Sequence, residues 1–186
     1  GNNKQKQYGA GDGEELFIVM ELAEGSVKDF LETMKDFKPS SSGTTDNTNT
    51  KMIVKIAIDV AEGMAYLASR GIVHRDLAAR NIAYFGPDPF TMYSAKIADF
   101  GTATLIRSSS SMPSRVDSQQ SSLRFEWMAP ESLDKNEFTE KSDVWSFGVF
   151  LWEMTSQGSE PWSGFPLDRS SLSQKYLQGQ RLAQPT

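Results

Sequence analysis

The chain has 186 residues, 24 acidic against 19 basic side chains, a net charge of −5, no cysteine and one histidine. That length suits one domain or a large part of one, and 38% hydrophobic with 23% charged residues is a globular rather than a disordered composition. Disulfide frameworks, thiolate chemistry and multi-histidine metal sites are excluded, the acidic balance argues against general nucleic-acid binding, and the longest apolar stretch, 144–154, is too short to span a bilayer.

Residues 1–15 are polar and read as a loop or frayed start. The glycines of Gly9-Ala10-Gly11-Asp12-Gly13 suggest a turn rather than a phosphate-binding loop, because Asp12, Glu14 and Glu15 would repel phosphate. Leu16-Phe17-Ile18-Val19-Met20 is a continuous apolar run of the kind found in buried strands. After Gly25, Ser26 is placed to cap a short helix, with Asp29 completing an imperfect capping box and Phe30, Leu31 and Met34 facing inward. Residues 38–50 are low-complexity polar sequence and predict a surface loop. Ile53, Ile56, Ala57, Val60, Met64 and Leu67 then recur at helical spacing, and Gly71 supplies the stop. Ile82–Phe85 and Ala95–Ala98 predict two short strands with turn chemistry between them at 86–89. The Ser-rich segment 107–122 reads as a loop. Residues 142–155 are apolar on nearly every face, which predicts a helix in the middle of the domain, and 171–177 predict a last helix.

The chemistry concentrates in three clusters. His74-Arg75-Asp76-Leu77-Ala78-Ala79-Arg80-Asn81 lies between the amphipathic helix and a strand. It groups a carboxylate that can orient or deprotonate a hydroxyl, an arginine that can hold phosphate oxygens and an amide oxygen that can ligate a hard cation. Asp99-Phe100-Gly101 offers a second carboxylate at the end of a strand. The third cluster is Trp127-Met128-Ala129-Pro130-Glu131, followed by Asp143-Val144-Trp145-Ser146-Phe147-Gly148.

HRDLAARN, DFG, APE and DVWSFG, in this order, resemble the protein-kinase family, and the form of the first resembles its tyrosine-kinase branch. The resemblance runs from about Leu16 to the C-terminus. It implies an α+β, protein-kinase-like fold: a mostly helical C-terminal lobe with a remnant strand and hinge of the N-terminal lobe. Residues 16–186 would then be a partial kinase domain, truncated at both ends, since no Gly-x-Gly-x-x-Gly loop or strand lysine precedes residue 16. The implied reaction is transfer of the ATP γ-phosphoryl group to a protein tyrosine hydroxyl, with ATP and Mg²⁺ as cofactors and a protein as substrate. The isolated 186 residues are expected to be inactive. Two alternatives stand beside this reading, a tyrosine-kinase-like serine/threonine kinase and a pseudokinase scaffold.

The resemblance assigns roles by position. Asp76 is the catalytic carboxylate and Arg80 neutralises the γ-phosphate. Asn81 and Asp99 hold Mg²⁺. Met20 is the gatekeeper, and the backbone of Glu21 and Ala23 meets the adenine. Ala83 sits under the adenine ring, where the family usually has leucine. His74 and Phe100 are packing residues, and Asp143 holds the HRD loop through backbone hydrogen bonds. Arg124 and Glu126 depart from the family's proline and basic residue before the tryptophan, which leaves tyrosine selectivity open. The kinase region is expected in the cytoplasm, within a membrane receptor as one possibility; no nucleic-acid partner is expected.

Overall fold

The computed structural model describes residues 8–9, 15–16, 18–35, 47–86, 93–106, 114–115, 124–164 and 168–185. Two short strands, β1 (Tyr8–Gly9) and β2 (Glu15–Leu16), pair antiparallel near the start. The polar start expected to be a loop therefore carries a strand, while residues 10–14 lie outside the described residues. Of the buried strand expected over 16–20, Leu16 lies in β2 and Phe17 lies outside the described residues, while Ile18, Val19 and Met20 are irregular and exposed, Val19 at 91%. An apolar run becomes a buried strand only where neighbouring elements pair with it and cover it, and none among the described residues does so for 18–20.

β3 (Gly25–Ser26) leads into helix α1 (Val27–Lys35). The expected capping box forms: Ser26 donates from its N–H and hydroxyl to Asp29 Oδ2 at 2.9 and 2.7 Å, and Asp29 N–H returns a bond to Ser26 Oγ at 3.1 Å. Helix α2 runs from Asn47 to Ser69, so the last residues of the expected surface loop are helical; residues 36–46 lie outside the described residues. Its inner face is the predicted one, with Ile56, Val60 and Leu67 buried and Ile53, Ala57 and Met64 partly so; Met52 joins it. A Cβ at Gly63 would lie 2.7 Å from the Ile97 side chain, so glycine permits α2 to approach the sheet closely. Gly71, at φ +68°, ends the helix as expected.

β4 (Ile72–Val73) pairs with β7 (Thr104–Leu105), and the two bracket the loops of the motif region. Between them, β5 (Ile82–Phe85) sits at the centre of a three-stranded antiparallel sheet, with β3 on one side and β6 (Ser94–Ile97) on the other. β8 (Ser114–Arg115), inside the segment expected to be only a loop, pairs with β9 (Glu137–Phe138). Helix α3 (Pro130–Lys135) starts on a proline at its first turn. Helix α4 (Glu140–Thr155) begins at a capping box between Thr139 and Ser142, and α5 (Arg169–Leu177) at Asp168, which accepts Ser171 N–H at 2.7 Å.

The main core joins α1, α2, β5 and α4 through Leu31, Ile56, Val60, Ile82 and Phe150; a second cluster around Phe138, Leu172 and Tyr176 joins β9 to α5. The expectation for α4 needs correction. Val144 is 68% exposed and Leu151 is exposed, whereas Asp143, Ser146 and Glu153 are buried. The buried polar groups bond to neighbouring loops, and together with buried Val149, Phe150 and Met154 they set which face of α4 points inward. The α+β fold expected of a kinase C-terminal lobe is present.

Two isoleucines of α2, two residues apart, separate core from surface. Ile56→Ala removes a fully buried side chain and should cost about 2–5 kcal/mol. Ile58→Ala, at a half-exposed position, should stay within about 0.5 kcal/mol. Urea unfolding curves measure both, and equal losses would mean that the helix face is misassigned.

Candidate active site

The loop between β4 and β5 is held from behind by α4. Asp143 is buried, and its two carboxylate oxygens accept the backbone N–H groups of His74 at 2.8 Å and Arg75 at 3.0 Å. Burial pushes the Asp143 carboxyl above its ordinary value, and the bonds from His74 and Arg75 pull it back. This pair of bonds holds Arg75 at φ +69°, a backbone region that costs a non-glycine residue about 1–3 kcal/mol. His74 is fully buried. Its Nε2 bonds to Ala98 O at 3.1 Å, Asp76 N–H donates to its Nδ1 at 3.4 Å, and its ring meets Phe100 edge-on at 5.3 Å. It is a packing residue, as expected. Thr102 Oγ1 donates to His74 O at 3.0 Å and Arg75 Nε donates to Thr102 O, so the two motif loops are laced together.

Asp76 lies at the open side of this loop, partly buried. Its Oδ1 pairs with Arg80 Nη2, and Asn81 Nδ2 donates to its Oδ2 at 2.8 Å and its backbone O at 2.7 Å. Burial raises the Asp76 carboxyl above its ordinary value, the Arg80 charge and the Asn81 bond oppose this, and the Asp99 charge adds to the rise. Residues 79–81 form a 3-10 turn, whose i, i+3 geometry returns Arg80 and Asn81 toward Asp76. Ala98 N–H donates to Asn81 O at 2.9 Å, which brings the end of β6, and hence Asp99, beside Asn81. Asp99 is exposed with φ +58°, a region aspartate tolerates, and its carboxylate accepts Gly101 N–H at 3.3 Å.

The donor set fits Mg²⁺ held partly by substrate phosphate. Asn81 uses its amide N–H groups on Asp76, which leaves its Oδ1 for a cation, and Asp99 keeps carboxylate oxygen in solvent. Among the described residues no group of three or more His, Asp or Glu could hold a metal ion. Mg²⁺ characteristically takes one or two protein oxygens and completes its octahedron from phosphates and water.

Sequence reasoning missed Glu153. It is buried on α4, and its Oε2 accepts both Ala79 N–H at 3.0 Å and Trp127 Nε1–H at 2.8 Å. The Arg80 guanidinium stacks 4.5 Å from the Trp127 ring centre, so the carboxylate, the indole and the arginine form one unit behind Asp76. The available signal was the one acid within the apolar stretch 144–154, Trp152-Glu153-Met154, since such a charge stays buried only when it is bonded.

The expected nucleotide-contacting residues come together in part. Ala83 is partly buried in β5, opposite Ser26 of β3 and Lys96 of β6. Glu24 N–H donates to Tyr84 O at 2.9 Å, and Glu21 pairs with Lys96, so 21–24 run beside Ala83. Ala23 is partly buried within that segment. Met20, by contrast, is 78% exposed.

The sequence model of the family described as protein tyrosine and serine/threonine kinase matches residues 5–186. The match begins well before Leu16, so the family region starts earlier than the motifs alone implied. Fibroblast growth factor receptor homolog 1 of Drosophila melanogaster is 36% identical over 180 residues, covering 91% of this chain and 24% of that protein. Fibroblast growth factor receptor homolog 2 of the same organism is 37% identical over 186 residues (93% and 17%). The fibroblast growth factor receptor of Strongylocentrotus purpuratus is 38% identical over 175 residues (91% and 17%). The chain spans a quarter or less of the length of these relatives.

Burial raises the Glu153 carboxyl, opposed by its bonds from Trp127 and Ala79. A carboxyl raised on folding contributes stability fully present below its unfolded pKa, near 4.3, and lost as pH rises through the higher folded value. Glu153→Gln keeps an acceptor oxygen for both bonds and removes the ionisation. Its stability relative to wild type should therefore increase from about pH 4 upward. Urea midpoints across pH measure this, and a difference independent of pH would refute it.

Proposed function

The chain belongs to the protein tyrosine and serine/threonine kinase family, and from that premise we propose that its parent protein transfers the γ-phosphoryl group of ATP to a tyrosine hydroxyl of a protein substrate. Kinases of this family generally use ATP and Mg²⁺. The observation that carries the reading is the Asp76 carboxylate, shared between Arg80 and Asn81 at the open side of a loop whose backbone is pinned by Asp143.

In this reading Asp76 accepts a hydrogen bond from the substrate hydroxyl, aims it in line with the transferring group and takes its proton as the new bond forms. Burial, which already raises the Asp76 carboxyl, suits it to that exchange. Arg80 lies beside Asp76, where its guanidinium neutralises charge on the transferring group. It is stacked on Trp127, so little reorganisation is needed when the substrate arrives. Asn81 Oδ1 and Asp99 would hold Mg²⁺, which supplies charge neutralisation on the nucleotide phosphates. The backbone of Glu21 and Ala23 would meet the adenine, with Ala83 beneath the ring. The region 16–186 then serves as hinge and C-terminal lobe of the kinase domain.

The tyrosine branch is supported by Arg80 in the loop, by Ala78 where serine/threonine kinases carry lysine, and by relatives that are named growth factor receptors. The same names support a receptor-type parent, in which this region would lie in the cytoplasm. Among the described residues no helix is long and apolar enough to cross a membrane.

Three measurements on the full-length parent test the reading. Asp76→Asn should lower kcat by about 10²–10⁴-fold while nucleotide affinity changes little; retention of full turnover would exclude Asp76 from the chemistry. Phosphoamino-acid analysis of the product should give phosphotyrosine, and phosphoserine or phosphothreonine would move the protein to the other branch. Ala83→Leu should tighten ATP binding by about tenfold through added apolar contact; unchanged affinity would remove Ala83 from the nucleotide site.

A further inference from the structure

Beyond Asp76 and Arg80, a line of charged side chains continues across the surface. Trp127 is nearly fully buried, and two guanidinium groups lie over its ring: Arg80 at 4.5 Å and Arg124 at 5.8 Å from the ring centre. The two guanidinium carbons are therefore no more than about 10 Å apart, the reach of about three extended residues. Arg80 is paired to Asp76, whereas the Arg124 side chain is 54% exposed. The counter-ion of Arg124 is Glu160, whose Oε2 is 3.5 Å from Arg124 Nη1. The other oxygen of Glu160 pairs more closely with Lys28, at 2.9 Å, and Lys28 also donates to Gly158 O at 2.7 Å. Glu160 thus has a firm partner in Lys28 and a loose one in Arg124. Burial raises the Tyr176 phenol, its bond from Trp162 opposes this, and the charge of Glu126 adds a smaller rise.

Resting on the kinase reading above, we infer that Arg124 is a specificity-determining residue that recognises an aspartate or glutamate within about four residues of the acceptor in the protein substrate. The acceptor hydroxyl must reach Asp76, so an extended peptide running from there past Arg80 carries a flanking side chain to Arg124. The planar guanidinium matches a carboxylate in two-pronged geometry. Glu160 occupies that place in the free protein. Because an exposed pair is weak and Glu160 keeps Lys28, a substrate carboxylate displaces it at small cost. The two charges therefore have opposite effects: Arg124 attracts the acidic residue and Glu160 competes with it.

The test uses the full-length protein and acceptor peptides that differ by Glu or Gln at one position, scanned over four residues on each side of the acceptor. At one position kcat/KM should be about fivefold higher for the Glu peptide, the scale of an exposed ion pair. Arg124→Gln should bring that ratio to about one, and Arg124→Glu should invert it in favour of a Lys peptide. Glu160→Gln should increase the ratio. If the Arg124–Glu160 pair were only structural, the two Gln variants would act alike. A wild-type ratio near one at every position, or a ratio that survives Arg124→Gln, overturns the inference. If no peptide is phosphorylated, the kinase reading fails. Fluorescence anisotropy of the same peptides then decides the site on its own, and equal binding of Glu and Gln peptides to the wild-type protein overturns it.

Discussion

The Asp143 carboxylate accepts two consecutive backbone N–H groups from a loop nearly seventy residues earlier in the chain. Removing a carboxylate from water costs several kcal/mol unless its lone pairs are met, and here two backbone donors meet them. The exchange is mutual, because His74 N–H and Arg75 N–H would otherwise be orphaned by the sharp turn at Arg75. With those residues held, the His74 ring bonds to Ala98 O and its carbonyl accepts from Thr102. The loop bearing Asp99 is thereby referred to the loop bearing Asp76. The relative placement of the two carboxylates descends from one buried side chain on α4.

Glu153 performs the same service for the other half of the loop. It lies ten residues beyond Asp143 on the same helix, about 15 Å along the axis. It meets Ala79 N–H and the Trp127 indole. Helix α4 therefore acts as a rigid ruler with an acid at each end, one setting His74 and Arg75 and the other setting Ala79 and Trp127. Arg80 follows from the second contact, since its guanidinium stacks on the indole that Glu153 positions. Groups aimed in advance at developing charge need little reorganisation during reaction, which is the physical value of spending buried hydrogen bonds on a loop.

Much of this was legible in order. The inner face of α2 followed from spacing alone, because a 3.6-residue period has one geometric meaning, and Ile56 and Val60 are buried accordingly. The Ser26–Asp29 box was legible because its bonds span three residues. The motif residues drew attention by their chemistry, and Asp76, Arg80, Asn81 and Asp99 do gather. The strand expected over 16–20 failed for the opposite reason: strand burial depends on non-local partners, and an apolar run does not carry them with it. The helix expected over 142–155 does reach the core through Val149, Phe150 and Met154, but its apolar character gave no face; the bonds of Asp143 and Glu153 to distant loops help to orient it and leave Val144 in water.

The sequence by itself determined the local elements, the family and the chemical types available for the reaction, since each depends on residue identity over short spans. Only the tertiary structure decided which groups share a bond: Glu153 with Trp127, Arg80 with both Asp76 and that indole, Arg124 with Glu160 and Glu160 with Lys28. Those pairings join positions from 4 to 132 residues apart. A hydrogen bond or ion pair depends on distances of a few ångströms. For the long-range pairs among these, such distances exist only after helices and loops have packed.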